Sequence, residues 1–116
     1  MFNVIIAGGR DYNNFQQLTA TMDTVLVNKS QVTIISGGAN GADSLGERYA
    51  RLRGYPLIVM KADWDKYGKR AGYLRNEDML RIATAAVCFW NGISRGTSHM
   101  IDLTMQSGKP LRVIRY

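Results

Sequence analysis

Five short apolar, β-branched runs alternate with stretches of helical periodicity, and this alternation constrains the fold of the chain more than any other feature. The runs are Asn3–Ala7, Val32–Ile35, Leu57–Met60, Ala86–Trp90 and Leu111–Arg115. Most are near-continuously apolar, as strands covered on both faces are. Strands separated by helices imply a parallel sheet with right-handed crossovers. The expected architecture is α/β, a Rossmann-like three-layer sandwich around a five-stranded, mainly parallel sheet. Its 116 residues suit one domain spanning 1–116.

Four helical stripes lie between the runs. Phe15, Leu18, Met22, Val25 and Leu26 form the first, with Asn13 or Asn14 able to cap it. Ala42, Leu45, Tyr49 and Leu52 form the second. Leu74, Met79, Ile82 and Ala83 form the third, and Ile101, Thr104 and Met105 a weaker fourth. Gly54-Tyr55-Pro56 and Gly108-Lys109-Pro110 read as twin helix exits, a left-handed glycine followed by a blocking proline. The segment from Lys61 to Gly72 reads as the one long connection, rich in charge and carrying Trp64 and Tyr67.

Composition excludes several classes. No apolar run approaches the roughly 20 residues of a membrane span, and Val4-Ile5-Ile6-Ala7 is too short for a secretory signal. The single cysteine, Cys88, excludes an internal disulfide framework, lies in an apolar run as buried core, and fits a reducing, cytoplasmic location. A net charge of +6 suits an anionic partner. The basic residues are scattered, however, and form no long run of like charge. A mildly basic solvated surface explains them equally well.

Glycine and polar residues follow the strands at what becomes one edge of the sheet. Gly8-Gly9-Arg10-Asp11-Tyr12 follows the first, Ser36-Gly37-Gly38-Ala39-Asn40-Gly41-Ala42-Asp43 the second, and Asn91-Gly92-Ile93-Ser94-Arg95-Gly96-Thr97 the fourth. In an open α/β sheet, ligands sit beyond the carboxyl ends of the strands where strand order reverses. Glycine lets a ligand approach main-chain N–H groups, and a helix start favours an anion there. The turns are neither a G-x-G-x-x-G dinucleotide fingerprint nor a Walker loop.

The candidate ligand-binding residues are therefore Gly8, Gly9, Arg10, Ser36, Gly37, Gly38, Asn40, Gly41, Asp43, Arg75, Asn76, Ser94, Arg95, Gly96 and Thr97. Phosphate is expected nearer the second turn, where Arg95 offers a guanidinium fork and Ser94 and Thr97 offer hydroxyls. Asp43 falls in the first turn of a helix, where it caps that helix or bonds a ribose hydroxyl or amide. Arg75 and Asn76 are expected at the start of the third helix. Trp64 and Trp90 are candidates for stacking on a base, with simple packing the alternative. Asp11, Asp43 and His99 are the only catalytic candidates, and His99 reads more simply as helix packing or solvent. No Cys/His cluster has metal-ligand spacing and no nucleophile elbow occurs, so no metal or cofactor is expected.

The order of these motifs, from Gly8-Gly9-Arg10-Asp11-Tyr12 through Arg75-Asn76 to Ser94-Arg95-Gly96-Thr97-Ser98-His99-Met100-Ile101, resembles the SLOG superfamily and, within it, the YspA/YpsA-related branch. That resemblance implies a Rossmann-like fold, a site for nucleotides or nucleotide-derived ligands, and assembly into homo-oligomers. Among the relatives, phosphoribohydrolases cleave nucleoside monophosphates and carry an Arg-Lys-x-x-Met and a Gly-Thr-x-Glu-Glu segment. Arg75-Asn76-Glu77-Asp78-Met79 is similar to the first, and Gly96-Thr97-Ser98-His99-Met100 keeps only Gly-Thr of the second. His99 and Met100 stand where those relatives have glutamates, one of which would assist an oxocarbenium-like transition state. The DNA-processing relative binds single-stranded DNA. The expected function is binding of a nucleotide or a nucleotide-derived ligand such as an ADP-ribose-like compound. Phosphoribohydrolase-type hydrolysis and single-stranded nucleic-acid binding are the alternatives.

Overall fold

The five apolar runs are strands β1 (Phe2–Gly8), β2 (Val32–Ser36), β3 (Leu57–Val59), β4 (Ala85–Trp90) and β5 (Leu111–Arg115) of a computed structural model describing residues Met1–Tyr116. They pair in parallel in the order β3-β2-β1-β4-β5. The helices are α1 (Phe15–Leu26), α2 (Ala42–Arg53), α3 (Trp64–Tyr67), α4 (Ala71–Ile82) and α5 (Arg95–Ser107), with a 3-10 turn at Gly68–Arg70. The Rossmann-like expectation holds, with every strand pairing parallel.

Strand order dictates which face each helix covers. The chain steps from β1 outward to β3, then returns to β4 and steps the other way to β5. Crossovers of one hand, taken in opposite directions, put their helices on opposite faces. Accordingly, Leu18 and Met22 of α1 and Tyr49 of α2 pack on Val4, Ile6, Val87 and Phe89. Met79 of α4 and Met100 and Ile101 of α5 pack on Ile5, Ala7, Ala86 and Cys88. Strand order reverses between β1 and β4, whose central residues are buried on both sides.

Local signals fix the helix ends. Asn14, one of the two expected caps, accepts a hydrogen bond from Gln17 N–H at 3.0 Å. Gly54 and Gly108 end α2 and α5 in the left-handed conformation, with φ of 71° and 73°. The segment 61–72 is not the long loop its composition suggests. Asp63 accepts the Lys66 N–H at 3.1 Å and starts a short helix that runs through the 3-10 turn into α4.

Three residues expected in the core face solvent: Leu52, Ile82 and Met105 are 56%, 41% and 66% exposed. In each helix the buried stripe takes a different edge of the periodic pattern. α2 buries Ala42, Gly46, Tyr49 and Ala50, while α4 buries Leu80 and α5 buries Met100. Small residues explain α2. Gly46 brings the helix so close to the sheet that a Cβ there would meet Ile6 Cβ and Cγ2, each at 2.9 Å, so the face that carries Gly46 is the buried one and Leu52 lies outside it. Gly46→Ala should therefore destabilise the fold by about 1–3 kcal/mol despite alanine's better helix propensity. Leu52→Ala should stay within about 0.5 kcal/mol of the parent. Urea denaturation of the two variants checks both values.

Candidate functional site

The carboxyl ends of β1 and β4 meet at a seam of backbone. Gly9 N–H donates to Phe89 O at 3.1 Å, and Gly9 O accepts from the N–H groups of Tyr12 and Ala42, each at 3.2 Å. A side chain on Gly8 would strike Phe89 O and, at 2.7 Å, Ala42 Cβ. Gly41, with φ of 74°, lies directly against the Gly9–Arg10 backbone. These contacts bring the first glycine turn and the start of α2 up to the end of β1.

The first turn is largely closed on itself. Ser36 is fully buried; its hydroxyl donates to Glu47 Oε2 at 2.7 Å and accepts from Gly38 N–H at 3.1 Å. Asp43 Oδ2 accepts from Ala39 N–H at 3.1 Å. Asp43 therefore does not cap α2, whose first residue follows Gly41 with no side-chain cap; it braces the turn instead. Burial pushes its carboxyl up to about 6, against the opposing pull of the Ala39 hydrogen bond and the charges of Arg75 and Arg10.

The second turn is open at its helix start. Asn91 Oδ1 accepts from Ile93 and Ser94 N–H at 2.8 and 2.9 Å. Ser94 caps α5 through Thr97 N–H at 3.4 Å and pairs with the Thr97 hydroxyl at 3.0 Å. Ser98 N–H reaches Ser94 O. Of the four N–H groups that a helix start leaves without intrahelical partners, those of Arg95 and Gly96 thus have no acceptor in the protein. A Cβ on Gly96 would meet nothing within 4 Å.

Helix α4 joins the two turns. Arg75 and Asn76 lie in its second turn, one turn later than expected, because the helix already starts at Ala71. Arg75 Nη1 donates to Gly37 O, and its Nε donates to Asn76 Oδ1 at 3.1 Å. Asn76 Nδ2 reaches Gly96 O and His99 Nδ1, each at 3.1 Å. His99 also meets Tyr73 edge to face, with centroids 4.5 Å apart, and burial holds it below the usual histidine range. Its ring thus packs between helices, as the simpler reading of it expects.

A cleft of about 480 Å³ opens at this point. It gathers Gly8, Gly9, Arg10, Asp11, Asp43, Trp64, Arg75, Asn76, Ser94, Gly96 and Thr97 from the sequence candidates. Gly37, Gly38 and Asn40 line a second pocket of about 280 Å³ beside it, which shares Arg10, Trp64 and Arg75. Five candidates are not brought to either wall, His99 among them, since its ring packs against Tyr73 and Asn76. Ser36 is buried behind the turn, and Gly41 is pressed on backbone. Arg95 is exposed at the first position of α5. Trp90 donates its indole N–H to Ser94 O at 3.1 Å and is covered by the Arg115 guanidinium.

The structure adds Lys61, Lys69, Tyr73 and Asn91 to these walls. Gly72, Asn76 and Met79 recur at helical spacing along α4 and all face the cleft, so a helix start placed at Ala71 was the signal that could have found Tyr73. Asp11 is held by the Tyr116 hydroxyl at 2.5 Å. No Arg10, Lys69 or Arg75 ion pair forms with a carboxylate. No cluster of His, Cys, Asp or Glu has metal-binding geometry, and no helix is long and apolar enough to cross a membrane.

A parallel sheet in this order, with a glycine-lined cleft at its switch point, defines a Rossmann-like α/β domain. The chain belongs to the YspA, cpYpsA-related SLOG family, whose model matches residues 2–67. The gene 61 protein of Mycobacterium phage D29 is 34% identical over 119 residues, spanning 96% of this chain and 94% of that protein. Two X-ray structures share the fold. That of TM1055 has a TM-score of 0.71 at 20% identity, covering 96% of this chain and 72% of the other. That of DNA processing protein A from Streptococcus pneumoniae has a TM-score of 0.77 at 16% identity, covering 99% of this chain and 50% of that one.

The Asp43 brace has a pH signature. Its carboxyl rises from 3.8 to about 6 on folding, so the folded state favours the protonated acid. Stability from this group is complete below about pH 4 and is lost as pH rises through about 6. Asp43→Asn removes the titration while keeping an oxygen acceptor for Ala39. Relative to the parent, the variant should gain stability between pH 4 and 6 and level off above, by up to about 3 kcal/mol. Parallel melting curves across that range would rule this account out.

Proposed function

We propose that this domain binds a nucleotide or a nucleotide-derived ligand, such as an ADP-ribose-like compound, in the cleft between the ends of β1 and β4. The observation that carries this reading is one cleft uniting a half-buried Arg75, the open N–H of Gly96 at the start of α5, and two carboxyls, Asp11 and Asp43. Helix-start N–H groups and a guanidinium are complementary to a phosphate. The carboxyls are acceptors for ribose hydroxyls, and the Trp64 and Tyr73 rings offer faces to a base. The volume of about 480 Å³ falls within the span of small-molecule sites, about 300–1,000 Å³. Binding along a nucleic-acid strand would instead call for a basic track with several stacking platforms.

Calorimetry with nucleoside phosphates and ADP-ribose tests the proposal, and Gly96→Ala reports on the site. Because a Cβ at Gly96 meets no protein atom, this variant should keep the parent's melting temperature. It should nevertheless weaken ligand binding by about tenfold or more, because the added methyl group holds the anion off the helix-start N–H groups and lengthens at least one charge-assisted hydrogen bond. Binding that survives both Gly96→Ala and Arg75→Ala would remove this site assignment. No binding of any compound would sink the reading. Oligonucleotide affinity that falls steeply with salt would favour the nucleic-acid alternative.

A second reading, hydrolysis of the N-glycosidic bond of a nucleotide, is favoured by one specific observation. Asp43 lines the cleft with its carboxyl raised to about 6, where a proton can be exchanged near neutral pH. The two positions at which the resemblance expects glutamates offer no such group. His99 is engaged with Asn76, and Met100 is buried in the core. Free base released from nucleoside 5′-monophosphates and abolished by Asp43→Asn would support hydrolysis. Unchanged nucleotide after prolonged incubation would leave binding alone.

A further inference from the structure

We propose that the pocket beside the cleft is a second anion subsite, and that the ligand carries a diphosphate straddling Arg75. This inference rests on the nucleotide reading and specifies the ligand's chemical class. The pocket, about 280 Å³, is formed by the Gly37–Asn40 turn, Lys61, Ala62, Trp64 and the two arginines. Its charged residues are Arg10, Lys61 and Arg75, with no acid among the lining. The main cleft differs, since Asp11 and Asp43 share its walls with the cations. A sugar would find carboxylate acceptors in the cleft and none in the side pocket, so the side pocket suits phosphate.

Compensation for these cations inside the protein is partial: the Asp43 carboxyl attracts Arg75 and Arg10 from across the turn. None of them forms an ion pair; for Arg75 the cost of burial comes first, Asp43 opposes it, and the nearby charge of Arg10 adds to it. Three converging cations served by one carboxyl leave an excess of positive charge at the pocket, and a bound anion relieves it. Lys61 is laid against the glycine turn, where a Cβ on Gly38 would meet its Cγ at 2.8 Å and its Cε at 3.4 Å. Bare backbone at Gly38 is thus what lets the lysine stem lie along the pocket.

Arg75 supplies the bridge between the two spaces, because it lines both. Its guanidinium has five N–H donors; Nε is engaged by Asn76 and one Nη1 donor by Gly37 O. The donors left over are sufficient for two phosphoryl groups, one on the α5 side and one on the Lys61 side.

Titration calorimetry with mono- and diphosphates of the four common nucleosides, together with ADP-ribose, tests the subsite in the parent, Lys61→Ala and Lys61→Arg. Lys61 is exposed, so both variants should fold. The diphosphates should bind about tenfold tighter than the monophosphates. Lys61→Ala should abolish that gain and leave monophosphate affinity unchanged, and Lys61→Arg should restore it. Equal losses for mono- and diphosphates, or no gain from the second phosphate, would overturn the subsite. Inorganic pyrophosphate separates the two proposals. Lys61-dependent pyrophosphate binding without nucleotide binding keeps the subsite and rejects the nucleotide, whereas binding of neither rejects both.

Discussion

Everything at the switch point depends on the close backbone contact at Gly8 and Gly9. Three segments meet there: the end of β1, the end of β4 through Phe89 O, and the start of α2 through Ala42 N–H. There is no room at Gly8 for a side chain between Phe89 O and Ala42 Cβ. A larger residue would push α2 off the strand and part the ends of β1 and β4. Those ends are the floor of the cleft, so a packing requirement of the sheet and the shape of the site are one constraint.

The two glycine turns, alike in lying between a strand and a helix, have different electrostatic fates. In the first, Asp43 supplies a carboxylate to Ala39 N–H, and Ser36 satisfies Gly38 N–H. The protein has thus satisfied the Ala39 N–H with a carboxylate of its own. Burial of that carboxylate is unfavourable, which is why its pKa climbs. In the second turn the corresponding donors at Arg95 and Gly96 stay open. The open backbone donors of the site thus lie at the start of α5, while the first turn presents side-chain cations, Arg10, Lys61 and Arg75, to the space beside it.

Strands and helix exits were legible in the sequence because their signals are local: β-branched runs, and glycine then proline at Gly54-Tyr55-Pro56 and Gly108-Lys109-Pro110. The family was legible too, through the order of its motifs. Side-chain direction was not. Arg95 stands beside Gly96 in sequence, yet the first position of a helix carries its side chain away from the cleft that the second position lines. Trp90 ends β4 at the right edge but is consumed by Ser94 and Arg115. The placement of Tyr73 depends on where α4 begins, which follows from the Asp63 cap of the short helix before it, and that of Lys61 on the approach of the β3 exit to the bare backbone of Gly38; neither is a local signal. Stripe edges failed for a similar reason. Leu52 and Ile82 fit the helical period as well as Gly46 and Leu80 do, and only packing distance decides between them.

Asn76 shows how few groups hold the cradle together. Its Oδ1 faces Arg75 Nε, which can only donate, and its Nδ2 faces Gly96 O, which can only accept. The amide orientation is therefore fixed by its partners. It follows that His99 Nδ1 accepts from the same Nδ2 and carries no proton, consistent with burial disfavouring the imidazolium. One buried amide thus sets the separation between the guanidinium and the start of α5, while Arg75 in turn holds the first turn through Gly37 O. For the ligand proposed above, donors held in this way would need little rearrangement, so more of the gross interaction would survive as affinity. The sequence reading counted Asn76 as a contact for the ligand. With both ends of its amide engaged inside the protein, its weight in the site lies in keeping the donors of two different turns aimed at one space.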